Sequence, residues 1–521
     1  MYKAMSIIMS LFLIVSLAAC GTTGGTSPDN TNGGSGGSNG TDTPDSTISL
    51  TGEITVTAYD SMRSKAFLEE AALLFEEKYP GTKVNVETFS AMPEIRTSEQ
   101  GGMRMSMVEM QDDPQGRHDY INKVNTSLMS GRGADILAMD VLPIHKYADS
   151  GQLENLAAYM QADPQFNPGD YRANIIDAAR YKGGTWFMPL DYTFDYYAYD
   201  STLINGNAAS GFGADSALTA GELVALGMPL FDGSDKMFNR ADYTGGRGGS
   251  MWDILLSESY TSFVDVENKR ANFNDGSFAA LLESVKEYSE LGYITEGVTG
   301  QQDAGAIMQR AASGEGPTDR AFFKPKNVFS LTRQYTRDLN LMVNMAIGGG
   351  VMTIEDDDEI AGIVSNADGS VPFTFDQAYG INSGSQNKET AWAFIKFLLS
   401  EEMQLANTMP TSLPLLNSAR EKKAENTLTG LGAMRGYSAQ GGQGGQAPQM
   451  TEAQQAALAE ALTGYNAAVE RLSNQINAYI FKDTIVNDMI SSEVQYFFEG
   501  SKSAEEVANV LQNRVNLYLN E

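Results

Sequence analysis

The chain has 521 residues, with 36 Lys and Arg against 66 Asp and Glu, a formal net charge of −30, one cysteine and two histidines. Such a surface repels nucleic acid and anionic lipid headgroups. One thiol and two imidazoles leave little for a His-ligated zinc, a Ser-His-Asp triad or a cysteine nucleophile, so any catalysis here would have to run on carboxylates. No catalytic residue, metal ligand or cofactor site is expected.

The chain opens on Met1-Tyr2-Lys3, an apolar run from Ile7 to Leu17, and then Leu17-Ala18-Ala19-Cys20-Gly21. A basic start, a short apolar core and small residues at its end predict a signal peptide over 1–19. The run is shorter than the ~20 residues of a spanning helix. Small residues before Cys20 resemble the bacterial lipobox, which makes Cys20 the expected lipidation site. From 20 to 47 the chain is mostly Gly, Ser, Thr, Asn, Asp and Pro. This predicts a flexible linker with an r.m.s. span of about 30 Å. The remaining body is long enough to bury two cores without a disulfide.

Past the linker, strands and helices alternate. Ile54 to Ala58 reads as a short β-branched strand, running into Tyr59-Asp60-Ser61. A helix follows with Phe67, Leu68, Ala71, Leu74 and Phe75 on one face, stopped by Pro80-Gly81. A second strand is predicted over 83–88. Tyr120, Ile121, Val124 and Leu128 mark the next helix, residues 135–139 a third strand, and Ile144, Tyr147 and Ala148 the helix behind it. This is the order of a mainly parallel sheet with helices on both faces, whose ligands sit beyond the carboxyl ends of the strands. The loops after Tyr59 and at Asp140 are therefore the ones to watch.

The stretch from Ser130 through Asp135-Ile-Leu-Ala-Met-Asp140 to Leu153 resembles the family-1 extracellular solute-binding proteins of ABC importers. Further blocks follow in the family's order: Tyr181-Lys-Gly-Gly-Thr-Trp-Phe-Met-Pro189 with Tyr197-Ala-Tyr199, Ala378-Tyr-Gly-Ile-Asn-Ser383 with Asn387 to Glu401, and Ser503-Ala-Glu-Glu-Val507 to the end. The resemblance covers roughly residues 52–521. Two stretches depart from it, a Met-rich insertion over 92–118 and the 425–473 region. It implies an α/β fold of the periplasmic-binding-protein type: two lobes, each a mainly parallel sheet flanked by helices, joined by three hinge crossings near 189–192, 375–380 and 411–415. The N-terminal lobe would hold 48–190 and 376–410, the C-terminal lobe 191–375 and 411–521. The last helix would pack through Val507, Val510, Leu511, Val515 and Tyr518.

Ligand would lie between the lobes. Sugars offer an apolar face that suits aromatic rings and hydroxyls that suit carboxylates and amides. Trp186, Phe187, Tyr192, Phe194, Tyr196, Tyr197 and Tyr199 crowd the first crossing. The family's placement of ligand contacts implies Asp191, Tyr192 and Thr193 at the hinge strand. It implies Tyr59, Asp60, Asp140, Ser250 and Trp252 in neighbouring loops, and Tyr379 on the returning crossing. Asp60 and Asp140 would equally serve as helix N-caps, and the tyrosines as sheet core.

Other motifs read as structure. Asp356 to Glu359 is a solvated acidic turn lacking the spaced oxygens of a calcium loop. Gly245-Gly-Arg-Gly-Gly249 is a rim loop with no following Lys-Ser/Thr. Met103, Met105, Met107 and Met110 make a packing surface. The expected protein is a lipid-anchored, extracytoplasmic, monomeric binder that delivers a carbohydrate, an oligosaccharide in size, to an importer's transmembrane subunits. The alternatives are a surface hydrolase, and a binding or sensor protein without transport. An Asp191–Asp195 pair on one strand would stand ~13 Å apart, too far for either glycosidase geometry.

Overall fold

The computed structural model describes residues 50–59, 64–89, 114–200, 216–227, 236–240, 251–290, 294–295, 327–333, 358–406, 412–433 and 452–521. The signal peptide, Cys20, the linker, Asp60, Ser250, the methionine cluster and the 245–249 loop lie outside the described residues.

Strand β1 (Gly52–Tyr59) turns Ile54, Val56 and Ala58 into the core. Helix α1 (Ser64–Lys78) buries Phe67, Leu68, Ala71, Ala72 and Phe75 over it, with Leu74 only half-buried. The helix ends where Pro80 and Gly81 follow, Gly81 taking a φ of 103° that suits glycine. The chain returns as β2 (Thr82–Phe89), parallel to β1. Helix α2 (Pro114–Met129) then leads into β3 (Ile136–Ala138), parallel to β1 on its other side, and α3 (Ile144–Asp149) follows. The βαβαβα reading holds through this stretch.

Two later pieces complete the sheet. Strand β4 (Met188–Pro189) takes the far edge, and β12 (Ala378–Ile381) inserts antiparallel between β3 and β4, giving the order β2-β1-β3-β12-β4. Gly380 in β12 is needed for contact: a Cβ there would meet the Trp186 carbonyl at 2.9 Å and Leu153 at 3.1 Å. Helix α6 (Lys388–Leu398) packs beside α1 through Phe394, 5.1 Å edge-on to Phe75. Burying a side chain like Phe75 contributes roughly 1.5–3 kcal/mol.

Asp135 ties these separate pieces together. One carboxylate oxygen accepts the Thr55 N–H at 2.8 Å, and the other accepts the Ser385 hydroxyl at 2.5 Å. The residue that opens the predicted third strand thus bonds both to β1 and to the segment after β12.

The second sheet contains β6 (Asp195–Asp200), β7 (Ser216–Leu218), β8 (Lys236–Arg240), β9 (Ile294–Thr295), β10 (Asn327–Arg333) and β11 (Asp358–Val364), in the order β9-β8-β10-β6-β11-β7. Its β9–β8, β8–β10 and β11–β7 pairs are parallel, and β6 runs antiparallel to both neighbours. Helices α4 (Met251–Phe263), α5 (Ser277–Glu290), α9 (Thr484–Phe498) and α10 (Ala504–Asn520) share a second core of Leu255, Phe273, Phe278, Ile490, Leu511 and their neighbours. Helix α10 is opened by a capping box between Ser503 and Glu506. Its buried face includes Val507, Leu511 and Val515 as expected, with Ala508 and Leu519 added and Val510 and Tyr518 half-buried. The fold is α/β with two lobes.

Helices α7 (Asn417–Ala433) and α8 (Glu452–Ser473) lie against the first core instead. Tyr465, Val469 and Leu472 pack into it. Arg172 reaches Glu470 at 2.5 Å, and the Asn174 amide donates to the Ser473 and Ile476 carbonyls.

Candidate functional site

Three chain segments converge on one hydrogen-bonded node. Strand β5 (Asp191–Tyr192) lies on the first crossing between the lobes and pairs antiparallel with β13 (Leu413–Pro414). Because α7 and α8 after β13 stay with the first core, the return to the second core comes after Ser473 and not at the expected 411–415. The Leu190 N–H donates to the Gln377 carbonyl at 2.9 Å, and the Leu415 N–H donates to the Leu190 carbonyl at 3.0 Å. Thr193 and Thr374 exchange both backbone bonds. The Asp191 carboxylate accepts the Asp376 N–H at 2.7 Å and the Gln377 N–H at 3.4 Å. Asp376 in turn accepts the Ser412 hydroxyl at 2.5 Å. One side chain from each segment therefore takes part.

Charge collects around this node. Asp191 is 3% exposed, and its pKa is raised by burial and by Asp376, against its two N–H donors and Lys423. Burial pushes Lys423 on α7 down to about 8, against the pull of Asp191 and Asp376. Asp140 follows β3 at its carboxyl end. It is surrounded by protein atoms on several sides yet stays open to solvent, and burial pushes its pKa up to about 7 against two backbone N–H groups, with Asp376 adding. Asp376 is likewise exposed. A carboxylate packed against protein and still open to solvent can accept hydrogen bonds from a ligand.

Aromatic side chains pack nearby. Tyr379 is buried, donates to the Gln377 side chain at 3.2 Å, and has its pKa raised by burial and by Asp140 and Asp191. Tyr120 on α2 is raised in the same way by burial and by Asp140. Half-buried Tyr59 stands 5.7 Å from Tyr120 and stacks on Phe89 at 6.4 Å. Tyr479, pushed by burial and Asp140 above the ordinary tyrosine range, stacks on Phe375 at 5.2 Å.

Of the residues singled out in the sequence, Tyr59, Asp140, Asp191 and Tyr379 gather at the carboxyl end of the first sheet and at the crossings. Tyr192 and Thr193 are on the crossing strand but fully enclosed, Tyr192 in the first core. Trp252 is not on an open wall. It lies in the second core, 6% exposed, edge-on to Phe278 at 5.8 Å and Phe498 at 6.1 Å. Its place on α4, with Leu255 and Leu256 three and four residues on, carries the helical spacing of a core face. Tyr196 and Tyr197 are core residues as well, and the Tyr199 side chain lies outside the description. Asp376, Lys423 and Tyr479 were not singled out. Asp376 fell within the expected second crossing. Lys423, in Glu421-Lys422-Lys423, has the sequence signature of a solvated helix face, and nothing local marks it as buried.

The described residues form two large sheets with separate cores, joined by segments that run between them. Residues 99–427 match the profile of the bacterial extracellular solute-binding proteins, and the chain belongs to that family. Its members are binding proteins of the extracytoplasmic side rather than enzymes. No curated protein sequence matches the chain. Among solved structures it is similar to an extracellular solute-binding protein of family 1 from Alicyclobacillus acidocaldarius, with 15% identity, 91% of this chain and 99% of that one covered, and a TM-score of 0.47. It is similar to the ABC substrate-binding protein Lmo0181 from Listeria monocytogenes in complex with cycloalternan, with 16% identity, 90% and 99% coverage and a TM-score of 0.48. Maltose-bound MalE3 of T. maritima has 16% identity, 89% and 99% coverage and a TM-score of 0.47.

Proposed function

We propose that the protein is a lipoprotein, anchored through Cys20, that captures a carbohydrate of oligosaccharide size in an interlobe cleft and delivers it to the transmembrane subunits of an ABC importer. The observation that carries this reading is the group of side chains at the carboxyl end of the first sheet. There Asp140 and Asp376 stay open to solvent and Tyr59 is half-buried, next to the node that ties 190–193, 374–377 and 412–415 together. Carboxylates accept hydroxyl hydrogen bonds, and tyrosine rings cover the C–H faces of a sugar. Membership of a binding-protein family favours capture without turnover.

In this reading Tyr59 and Asp140 contact ligand, as would Asp60 and Ser250, whereas Tyr379, 1% exposed, is a core residue and not the ligand contact expected of it. Asp191, Tyr192 and Thr193 hold the hinge, and Trp252 supports the second core. The lobes are 48–190 with 376–410 and 191–375 with 411–521, with α7 and α8 of the latter span laid against the first core. The protein acts as a monomer and uses no cofactor.

The test is a thermal-shift screen of the protein against mono-, oligo- and polysaccharide fragments, with peptides and uronates as controls. A ligand at a hundred times its dissociation constant adds about 2.7 kcal/mol to stability. A shift with one sugar family and no cleavage of it is the expected result. A shift with peptides alone, or release of shortened sugar, would overturn it.

A further inference from the structure

Both histidines of this chain lie where the first core meets the second, and each faces a carboxylate in or beside the first turns of α9. Helix α2 leads into β3, which runs parallel to β1, so its first turn lies at the carboxyl-end side of the first sheet. That is the side on which Asp140 opens. On that turn the Arg117 guanidinium donates to Asp488 at 2.8 Å, and His118 Nε2 stands 3.0 Å from the other Asp488 oxygen. Arg117, His118 and Asp488 are 17%, 32% and 14% exposed. The buried residues of α2 belong to the first core and those of α9 to the second.

A second set of contacts runs alongside. The Thr484 hydroxyl donates to the Val141 carbonyl at 3.0 Å, and Lys146 donates to the Tyr518 carbonyl at 2.8 Å. His145 Nε2 stands 3.3 Å from Asp483, which also caps α9 and accepts the Tyr518 hydroxyl. A cavity of about 520 Å³ adjoins the Asp488 contact, lined by His118, Ser492, Gln495 and Arg514 among others. The two lobes thus meet at α9 through polar groups beside open space, with Ile485 of α9 packed on the first core.

We propose that Arg117, His118 and Asp488 form a pH-dependent clasp across the mouth of the interlobe cleft, and that protonation of His118 tightens it and favours the closed arrangement. The inference rests on the hinged-binder reading above. Arg117 is charged at every working pH, so the clasp persists when His118 is neutral and strengthens when His118 gains charge opposite Asp488. Among the described residues, Arg514 on α10 lines the same cavity as His118 and is drawn toward Glu493 at 3.5 Å, and Asp119 follows His118 on α2. The inner histidine contributes less. Burial lowers the His145 pKa, against Asp483 and Asp149 and together with Lys146 and Lys182. Because apparent affinity scales with the fraction of competent conformer, the clasp would set how long a captured ligand is retained as the medium acidifies.

The test is a spin-label distance measurement on the full chain carrying Cys20→Ser, with labels at Asn122→Cys and Glu499→Cys, free of ligand, at pH 8 and pH 5. The expected result is a rise in the short-to-long distance ratio of about three- to tenfold at pH 5. That rise should vanish in His118→Gln, and the short population should shrink at both pH values in Asp488→Asn. A pH response unchanged by His118→Gln, or none in the parent, overturns the clasp. A clasp that responds in a protein to which no sugar binds would overturn the carbohydrate reading alone. A sugar-induced thermal shift with no pH-dependent distance would overturn the clasp alone.

Discussion

Glu258 lies inside the second core, where its carboxylate accepts the Ala220 N–H at 2.5 Å. Burial pushes its pKa from 4.5 up to about 8 against that bond, with Asp195 and Glu222 adding. The folded state then keeps a proton that the unfolded chain releases, so stability falls as pH rises from 4.5 through about 8. Glu258→Gln keeps the acceptor and removes the charge. It should raise stability by on the order of 2 kcal/mol at pH 9 and change little at pH 4.5, measured by urea unfolding. Asp140 offers a functional counterpart. With its pKa near 7, it is ionised above that value and able to accept from ligand hydroxyls, so in a His118→Gln background, where the clasp no longer responds to pH, sugar affinity should climb as pH passes upward through 7. Asp140→Asn should flatten that profile, read by titration calorimetry. Neither environment was legible in the sequence: Asp140 was marked by its position after a strand, whereas Glu258 sits mid-helix among charges and apolar residues alike.

At the scale of elements, the crossings depend on Asp191. Its replacement by Ala would strip an acceptor from two N–H groups and leave Asp376 without its neighbour. Each buried donor so orphaned costs about 1–3 kcal/mol, so Asp191→Ala should lower the urea midpoint clearly, while Asp191→Asn should recover most of it. Gly380→Ala should destabilise to a similar degree, because the Trp186 carbonyl and Leu153 occupy the space a Cβ needs. Ser503→Ala removes the cap of α10 and should cost about 1 kcal/mol. The alternation of β1, α1, β2, α2 and β3 was readable because each turns a period-2 or period-3.6 apolar face to one sheet. The lodging of α7 and α8 against the first core was not. Their face is set by Glu470 meeting Arg172 and Arg420, contacts 298 and 50 residues apart along the chain. Trp252 was misplaced for the same reason: an aromatic ring announces burial or binding equally well, and only its neighbours Phe278 and Phe498 decide.

The molecule as a whole is two cores held by one hydrogen-bonded node and by the junction at α9, and the proposed function requires them to move relative to one another. A saturating sugar should therefore protect the Asp191–Asp376 and Leu190–Gln377 amides from hydrogen exchange more than it protects the interior of β1. Equal protection throughout would mean a rigid binder. The order in which the first sheet is assembled has a separate consequence for how the protein is made. A chain released amino end first delivers β1, β2 and β3 early, but β12, the strand that fills the gap between β3 and β4, arrives some 240 residues after β3. Until then β3 offers a bare edge and Asp135 has no Ser385 to hold, while the whole second sheet emerges in between. The lobe begun first is finished late, and the nascent protein depends on something to shield that edge, a chaperone or speed itself, for nearly half of its synthesis.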